Sequence, residues 1–273
     1  MTLRCLLFAA AASLSCVAQP AFAQDSLAAD AKAFGAREAV LRPDLSADGS
    51  SVVYVTPGQG RTSVAVVGNL DTGKFAQVAG SPGGKMTLRW CNFVSASRAV
   101  CRITGLNTDA STEDIIGFSR LLAINTDGTE PKQLGQSESF YDAYLRQFDA
   151  AVVDWLDGTD GKVLLERHYV PEEGKLGTRL VRQKQGLGVD IVDTKTLSSN
   201  PSEEPRDGAS SYMSDGQGHV RLMMTIDSSH TTGTLSGQAS YHYRTANSRR
   251  WQLLRVVRPD QARFSAACDR CHD

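Results

Sequence analysis

The feature that most constrains the fold of this chain is a repeated order of short β-rich runs separated by tight turns. Each unit has strand, turn, strand, spacer, strand, turn and strand, which is the order of elements in one four-stranded antiparallel sheet. An Asp-Gly dipeptide, which favours such turns, accompanies these units at Asp48-Gly49, Asp127-Gly128, Asp157-Gly158 and Asp215-Gly216. One dipeptide of this kind would indicate little, but four in phase predict a repeat protein.

The first unit is the clearest example. Two β-rich runs at 51–55 and 64–67 follow the turn at Asp48-Gly49, and a second turn, Asp71-Thr72-Gly73-Lys74, leads into the run at 75–78. Branched and aromatic residues dominate these runs, as expected for strands. The unit therefore predicts four short strands within about 35 residues, the size of one propeller blade.

The recurring order favours a β-propeller over a β-sandwich, in which Asp-Gly turns between short strands are also common. We predict an all-β fold, a partial or small propeller of about four blades spanning residues 45–257. Residues 258–273 form a tail or begin a fifth blade, and residues 24–44 lead into the first. A closed ring of seven blades would need roughly 300 residues, more than the 273 present.

The N-terminus has the pattern of a secretory signal peptide. Arg4 precedes an apolar run at 6–17, and Ala21-Phe22-Ala23 forms a small-x-small cleavage site before Gln24. The apolar run is too short to span a bilayer of about 30 Å. We therefore expect residues 1–23 to be removed and the protein to be periplasmic or secreted.

Composition excludes several functional classes. The chain has 29 basic and 30 acidic residues, with 41% hydrophobic and 22% charged residues. This balance is ordinary for a globular protein and offers no basic surface for nucleic acid or membrane. We expect neither as a partner.

Five short motifs, taken in order, resemble the propeller half of exported bacterial serine peptidases of the prolyl oligopeptidase family. They are Phe34-Gly35-Ala36-Arg37, Leu45-Ser46-Ala47-Asp48-Gly49, Trp90-Cys91-Asn92-Phe93-Val94-Ser95, Gly186-Leu187-Gly188-Val189-Asp190 and Tyr212-Met213-Ser214-Asp215-Gly216. The resemblance implies a propeller that gates substrate access to an α/β-hydrolase domain. That domain would be a separate partner of this chain.

The catalytic part of that family has no counterpart in the sequence. Its serine nucleophile needs a Gly-x-Ser-x-Gly elbow, where small neighbours permit the sharp strand-to-helix turn. The nearest strings, Gly208-Ala209-Ser210-Ser211-Tyr212 and Gly233-Thr234-Leu235-Ser236-Gly237, do not fit it. No catalytic residue can be assigned, and we expect a truncated or split form without activity alone. The alternative is a free-standing propeller that binds a periplasmic peptide or protein.

Two pairs of cysteines lie beyond the predicted signal peptide. Cys91 and Cys101 fall on the two arms of a predicted hairpin, and we expect a disulfide between them in an oxidising compartment. The alternative is two buried thiols.

Cys268, Cys271 and His272 fit the Cys-x-x-Cys-His pattern of covalent c-type haem attachment. A redox protein that carries haem through this motif is therefore a third functional class. The motif lies at the extreme C-terminus, where no following chain could enclose a haem, so a terminal disulfide or thiol pair is favoured. We expect no cofactor and no metal site, because the remaining histidines lack metal-ligand spacing.

Three local expectations complete the interpretation. Helical periodicity is present at 25–37 and, more weakly, at 139–148. Glu203 and Glu204 lie between two prolines, in what is predicted to be a solvated loop. An incomplete ring should also leave the last blade uncovered. That apolar face is predicted to include Leu222, Met224, Leu253 and Val256.

Overall fold

The structure is a computed structural model that describes residues 21–108, 113–135, 137–158, 160–174, 181–228 and 234–258, with the side chains of 21–26 excluded. The chain divides into two compact units, one ending at Glu38 and the other beginning at Ala39. The first contains the helix α1 (Ala21–Phe34), which overlaps the helix predicted at 25–37. The second contains every strand described below.

Sixteen strands in the described residues form four sheets of four strands each. The first blade contains β1 (Leu41–Leu45), β2 (Ser51–Pro57), β3 (Ser63–Asn69) and β4 (Lys74–Ser81). The second contains β5 (Met86–Ser95), β6 (Arg98–Thr108), β7 (Ile115–Asn125) and β8 (Lys132–Gln133). The third contains β9 (Ala151–Asp154), β10 (Lys162–Tyr169), β11 (Gly186–Asp193) and β12 (Ser199–Arg206). The fourth contains β13 (Ala209–Ser214), β14 (Val220–Ser228), β15 (Leu235–Tyr243) and β16 (Gln252–Val257).

Within each blade the strands pair in chain order and run antiparallel, as the repeated sequence unit predicts. The Asp48-Gly49 turn shows why this sequence reverses the chain there. The Asp48 carboxylate accepts hydrogen bonds from the Ser50 amide at 3.1 Å and the Ser46 hydroxyl at 2.6 Å. Gly49 adopts a φ of +71°, which glycine tolerates best. These hydrogen bonds, with that of Ser46 contributing most, lower the pKa of Asp48.

The apolar core consists of three clusters, each filling the space between consecutive blades. Between the first and second blades lie Val53, Val55, Ala65, Leu88, Cys91, Phe93 and Cys101. Between the second and third lie Val94, Val100, Leu121, Leu134, Val163 and Leu165. Between the third and fourth lie Leu164, Val189, Tyr212, Val220 and Met223. In an inner blade, alternate side chains of one strand enter two different clusters, as Val163 and Leu165 do on one face of β10 and Leu164 on the other.

A buried arginine adds a polar link between the second and third blades. Arg98, at the start of β6, is 3% exposed and donates two hydrogen bonds to the Thr194 carbonyl, at 3.1 and 2.8 Å. It also donates to the side chain of Asn125 at 2.5 Å. Because its donors find acceptors in both blades, the charge is compatible with burial.

This architecture is a partial β-propeller and confirms the predicted fold class. Each blade covers the next, but the described residues contain no buried apolar cluster that joins the fourth blade to the first. The arc is therefore open between its two ends in the described part of the chain.

The structure corrects two local expectations. Residues 199–206 form the strand β12 instead of a loop, because β12 is the outermost strand and pairs only with β11. Pro201 and Pro205 are tolerated on an edge strand because one side of it needs no amide donors. Residues 139–148 form no helix, and several of their backbone groups bond outside the segment, as when the Ala143 amide donates to the Pro171 carbonyl at 2.9 Å.

The predicted end face is also only partly right. Leu222 and Met224 lie opposite Tyr243 and Tyr241 in the strand register, on the face away from the third blade. Leu253 lies opposite His242, which lies opposite the buried Met223, so Leu253 belongs to the other face. No helix of the described residues is long and apolar enough to span a membrane.

Candidate functional site

The second blade carries a solvent-open pocket of about 470 Å³. One wall is the sheet, where Ile103 of β6 and Ile116 and Phe118 of β7 present apolar side chains. The opposite wall is the chain between the second and third blades, residues 137–150, which we call the connecting segment. Leu145 of this segment completes the apolar lining.

Main-chain hydrogen bonds hold the connecting segment against β7. The Ser119 amide donates to the Gln147 carbonyl at 2.9 Å, and Ser119 and Phe148 form a parallel β-bridge. The Arg120 guanidinium donates to the same carbonyl at 3.0 Å and forms an ion pair with Glu138 at 3.2 Å. These contacts fix the width of the pocket at its polar rim.

A buried ion pair anchors the connecting segment from beneath. The guanidinium of Arg146 lies 2.9 Å from the carboxylate of Asp149 and 3.5 Å from that of Asp142. Arg182 forms ion pairs with Asp142 and with Glu172, the latter at 3.5 Å. The segment is therefore tied to the loop that follows β10.

The surroundings of Asp149 shift the pKa of its carboxyl. Burial raises the pKa of its carboxyl, and the guanidinium of Arg146 opposes that rise. Burial also lowers the pKa of the nearby His168, an effect that Asp149 opposes. The pocket thus lies above charges with little access to water.

A second polar cluster joins the third blade to the same region. The carboxylate of Asp190 accepts hydrogen bonds from Arg167 and from the Tyr169 hydroxyl, each at 2.6 Å. Burial, followed by this hydrogen bond, raises the pKa of Tyr169. Arg167 also donates to the Gly135 carbonyl at 3.0 Å.

Gly135 allows the chain to approach Asp149 closely. A Cβ atom at this position would lie 2.3 Å from the Asp149 carboxylate, and the φ of Gly135 is +108°. Both facts favour glycine over any other residue here. The backbone conformation is therefore constrained at Gly135, where the chain enters the connecting segment, and the ion pairs of Arg146 constrain the middle of that segment.

Large apolar side chains are exposed in the connecting segment and at the start of β7. Exposed fractions are 96% for Phe140, 64% for Phe148, 67% for Leu145 and 72% for Ile115. A concentration of exposed apolar side chains marks sites of association with other molecules. Leu145 lines the pocket, and Ile115 and Phe148 are the chain neighbours of the lining residues Ile116 and Gln147.

The structure places the predicted cysteine pair in the core between the first two blades. Cys91 and Cys101 lie opposite each other on β5 and β6, with Cα atoms 4.0 Å apart, and form a disulfide. The predicted haem-type motif of Cys268, Cys271 and His272 lies outside the described residues. Within the described ranges, no cluster of three His, Cys, Asp or Glu side chains could hold a metal ion.

Sequence reasoning placed no functional residue in the pocket. Asp142, Arg146 and Asp149 have helical spacing, and that spacing was the available signal that these charges meet. The sequence predicts only weak helical periodicity at 139–148, whereas these charges pair within an irregular segment.

Comparisons with known proteins give similarity to solved structures alone. No family model matches the chain, and no curated protein matches it. An oligogalacturonate lyase in complex with manganese has a TM-score of 0.42 and 12% identity over 76% of this chain and 52% of that chain. A prolyl endopeptidase has a TM-score of 0.40 and 14% identity over 80% of this chain and 27% of its own.

The β-propeller domain of the Trilobed protease from Pyrococcus furiosus is also similar. Its TM-score is 0.38, with 11% identity over 80% of this chain and 57% of that domain. This chain therefore spans less than two thirds of each of the three structures. Identities and TM-scores this low carry no information on activity or ligand.

Proposed function

We propose that this chain is a non-catalytic binding propeller that holds an extended apolar segment of a peptide or protein in the pocket of the second blade. The observation that supports it is a cavity of about 470 Å³ with largely apolar walls, open to solvent and lined in part by the exposed side chain of Leu145. Binding cavities in proteins are commonly several hundred Å³ in volume and mostly apolar.

The polar rim favours a peptide over a purely apolar ligand. Asn107, Gln133 and Gln147 line the pocket beside the ion pair of Arg120 with Glu138. Amide side chains can both donate to and accept from the main chain of a peptide. Apolar walls would then hold alternate side chains while the rim bonds the peptide groups.

The proposal includes the function implied by the sequence resemblance. The propeller would gate or present peptides to a separate α/β-hydrolase domain, after export across a membrane. The lack of a Gly-x-Ser-x-Gly elbow supports the absence of peptide hydrolysis by this chain alone. A free-standing peptide-binding propeller would use the same pocket without that domain.

Fluorescence anisotropy with a labelled hexapeptide of alternating leucine and serine tests the proposal. Leu145→Glu places a charge in the pocket wall at a side chain that is 67% exposed. We expect it to weaken binding by about tenfold or more, because a carboxylate would have to lose water against an apolar peptide. Because the Leu145 side chain is mostly exposed, we expect the replacement to change the stability of the fold little.

Leu235→Glu is the matched control, since Leu235 is 65% exposed and lies on β15, away from the pocket. It should bind the peptide as the unmodified protein does. Equal binding by both variants, or no binding by the unmodified protein, would refute the assignment of this pocket.

A further inference from the structure

A second cavity, of about 530 Å³, lies between the third and fourth blades. Its walls are the outermost strand β12, the start of β14 and the loop between β15 and β16. Four arginines line it, namely Arg206, Arg221, Arg244 and Arg249. It shares no residue with the pocket of the second blade.

One of these arginines is held rigidly and is already neutralised. Arg244 forms an ion pair with Glu203, donates to the Val220 carbonyl at 2.8 Å, and lies 4.7 Å from the ring centre of Trp251. Glu203 is only 7% exposed, which corrects its expected place in a solvated loop. The ion pair of Arg244 with Glu203 and the indole of Trp251 therefore form one wall of the cavity, which is held in place and has almost no net charge.

The other acidic residue of the lining, Glu204, is also paired, and so is Asp215, the partner of the lining residue Arg221. Glu204 forms an ion pair with Lys184 at 2.8 Å, and Asp215 forms one with Arg221 at 2.9 Å. Among the described residues, Arg206 and Arg249 have no acidic partner. The rim of the cavity is therefore cationic, with one uncompensated arginine on β12 and another on the loop between β15 and β16.

We propose that this cavity binds a small organic anion with at least two carboxylate groups. Guanidinium groups bind carboxylates through paired hydrogen bonds, so Arg206 of β12 and Arg249 of the loop between β15 and β16 would each engage one acidic group. The side chains of Ser202 and His219 supply further polar groups within the lining. A volume of about 530 Å³ exceeds the needs of a single inorganic anion and fits a molecule of drug-like size.

Isothermal titration calorimetry with citrate, at constant ionic strength, tests the proposal on the unmodified protein. Arg249→Gln removes one rim charge and keeps hydrogen-bonding capacity. Arg250→Gln is the matched control, because Arg250 is its exposed neighbour and lies outside the lining. Inorganic phosphate serves as a comparison ligand whose charge is confined to one tetrahedral group and cannot reach two separated arginines.

Citrate should bind the unmodified protein and Arg250→Gln equally, and Arg249→Gln about tenfold more weakly, the effect of one lost charge-assisted contact. Arg206→Gln should weaken it to a similar extent. Equal losses in Arg249→Gln and Arg250→Gln would show general charge attraction and overturn the proposal. So would absence of citrate binding, or phosphate binding as tight as that of citrate.

Discussion

The guanidinium of Arg146 lies 2.9 Å from the carboxylate of Asp149, and the two side chains are only 2% and 1% exposed. They are separated by two residues in an irregular segment and form a buried ion pair beneath the pocket of the second blade. A pair removed from water in this way is costly to break, because the surviving charge remains buried. The connecting segment therefore depends on the integrity of this pair.

Replacement Arg146→Met should destabilise the protein by about 3–5 kcal/mol, because it leaves Asp149 buried without its partner. The free energy of unfolding in urea measures this. Lys162→Ala is the control: it removes an exposed ion pair, in which the Lys162 ammonium lies 2.7 Å from the Asp160 carboxylate, and it should change the free energy of unfolding little. Similar effects of the two replacements would show that burial of the pair is unimportant.

Glu166 gives stability a definite dependence on pH. Its pKa is raised by burial, and the hydrogen bond from the Tyr212 amide only partly opposes the rise. A raised folded-state pKa means that the folded protein binds the proton more tightly than the unfolded chain. Stability should therefore fall as pH rises from about 4, the carboxyl's unfolded range, through the raised pKa.

Replacement Glu166→Gln keeps an oxygen for the Tyr212 amide and removes the titration. The stability of this variant relative to the unmodified protein should rise with pH across that window, measured by thermal unfolding at several pH values. A constant difference between Glu166→Gln and the unmodified protein would contradict the raised pKa.

The blades could be predicted from sequence because their information is local. Alternating side chains and Asp-Gly turns specify each hairpin, and the repeated order specifies how the hairpins follow one another. The strand β12 was missed because Pro201 and Pro205 argue against strands in general, whereas its position at an edge removes the objection.

The pocket could not be predicted because its walls meet only in the folded chain. Ile103 and Leu145 come from separate elements, and nothing local indicates that the connecting segment lies against β7. The weak helical spacing at 139–148 was misleading, since tertiary hydrogen bonds such as that of Ser119 with Gln147 take up its backbone groups.

The disulfide between Cys91 and Cys101 should stabilise the protein by about 2–3 kcal/mol, because it closes a short loop in the unfolded chain. Unfolding in urea with and without a reductant measures this. Alkylation in denaturant, before reduction, should leave both cysteines unmodified in mass mapping. Denaturant is required because both side chains are fully buried, and modification of either under these conditions would exclude the bridge.

The open ends of the arc predict self-association or dye binding. Leu45 and Phe75 of the first blade, and Met213 and Leu254 of the fourth, are each more than half exposed. Apolar faces of this kind recruit partners. Phe75→Glu and Met213→Glu should each reduce association in sedimentation experiments, whereas Leu70→Glu, at an exposed turn residue, should not.

Trypsin should also cleave after the exposed residue Arg255, whereas the bond after Arg258 should resist it because Pro259 follows. A strictly monomeric protein that binds no hydrophobic dye and resists trypsin there would show that the four blades form a self-sufficient unit. The free-standing binding propeller would then replace the detached gating half as the preferred interpretation.

Native mass spectrometry of the purified protein with the leucine-serine hexapeptide tests the central proposal most directly, because it detects binding and cleavage together. The account predicts a one-to-one complex that contains the intact peptide, and loss of that complex for Leu145→Glu but not for Leu235→Glu. Shorter product peptides, or a complex that survives Leu145→Glu unchanged, would contradict it.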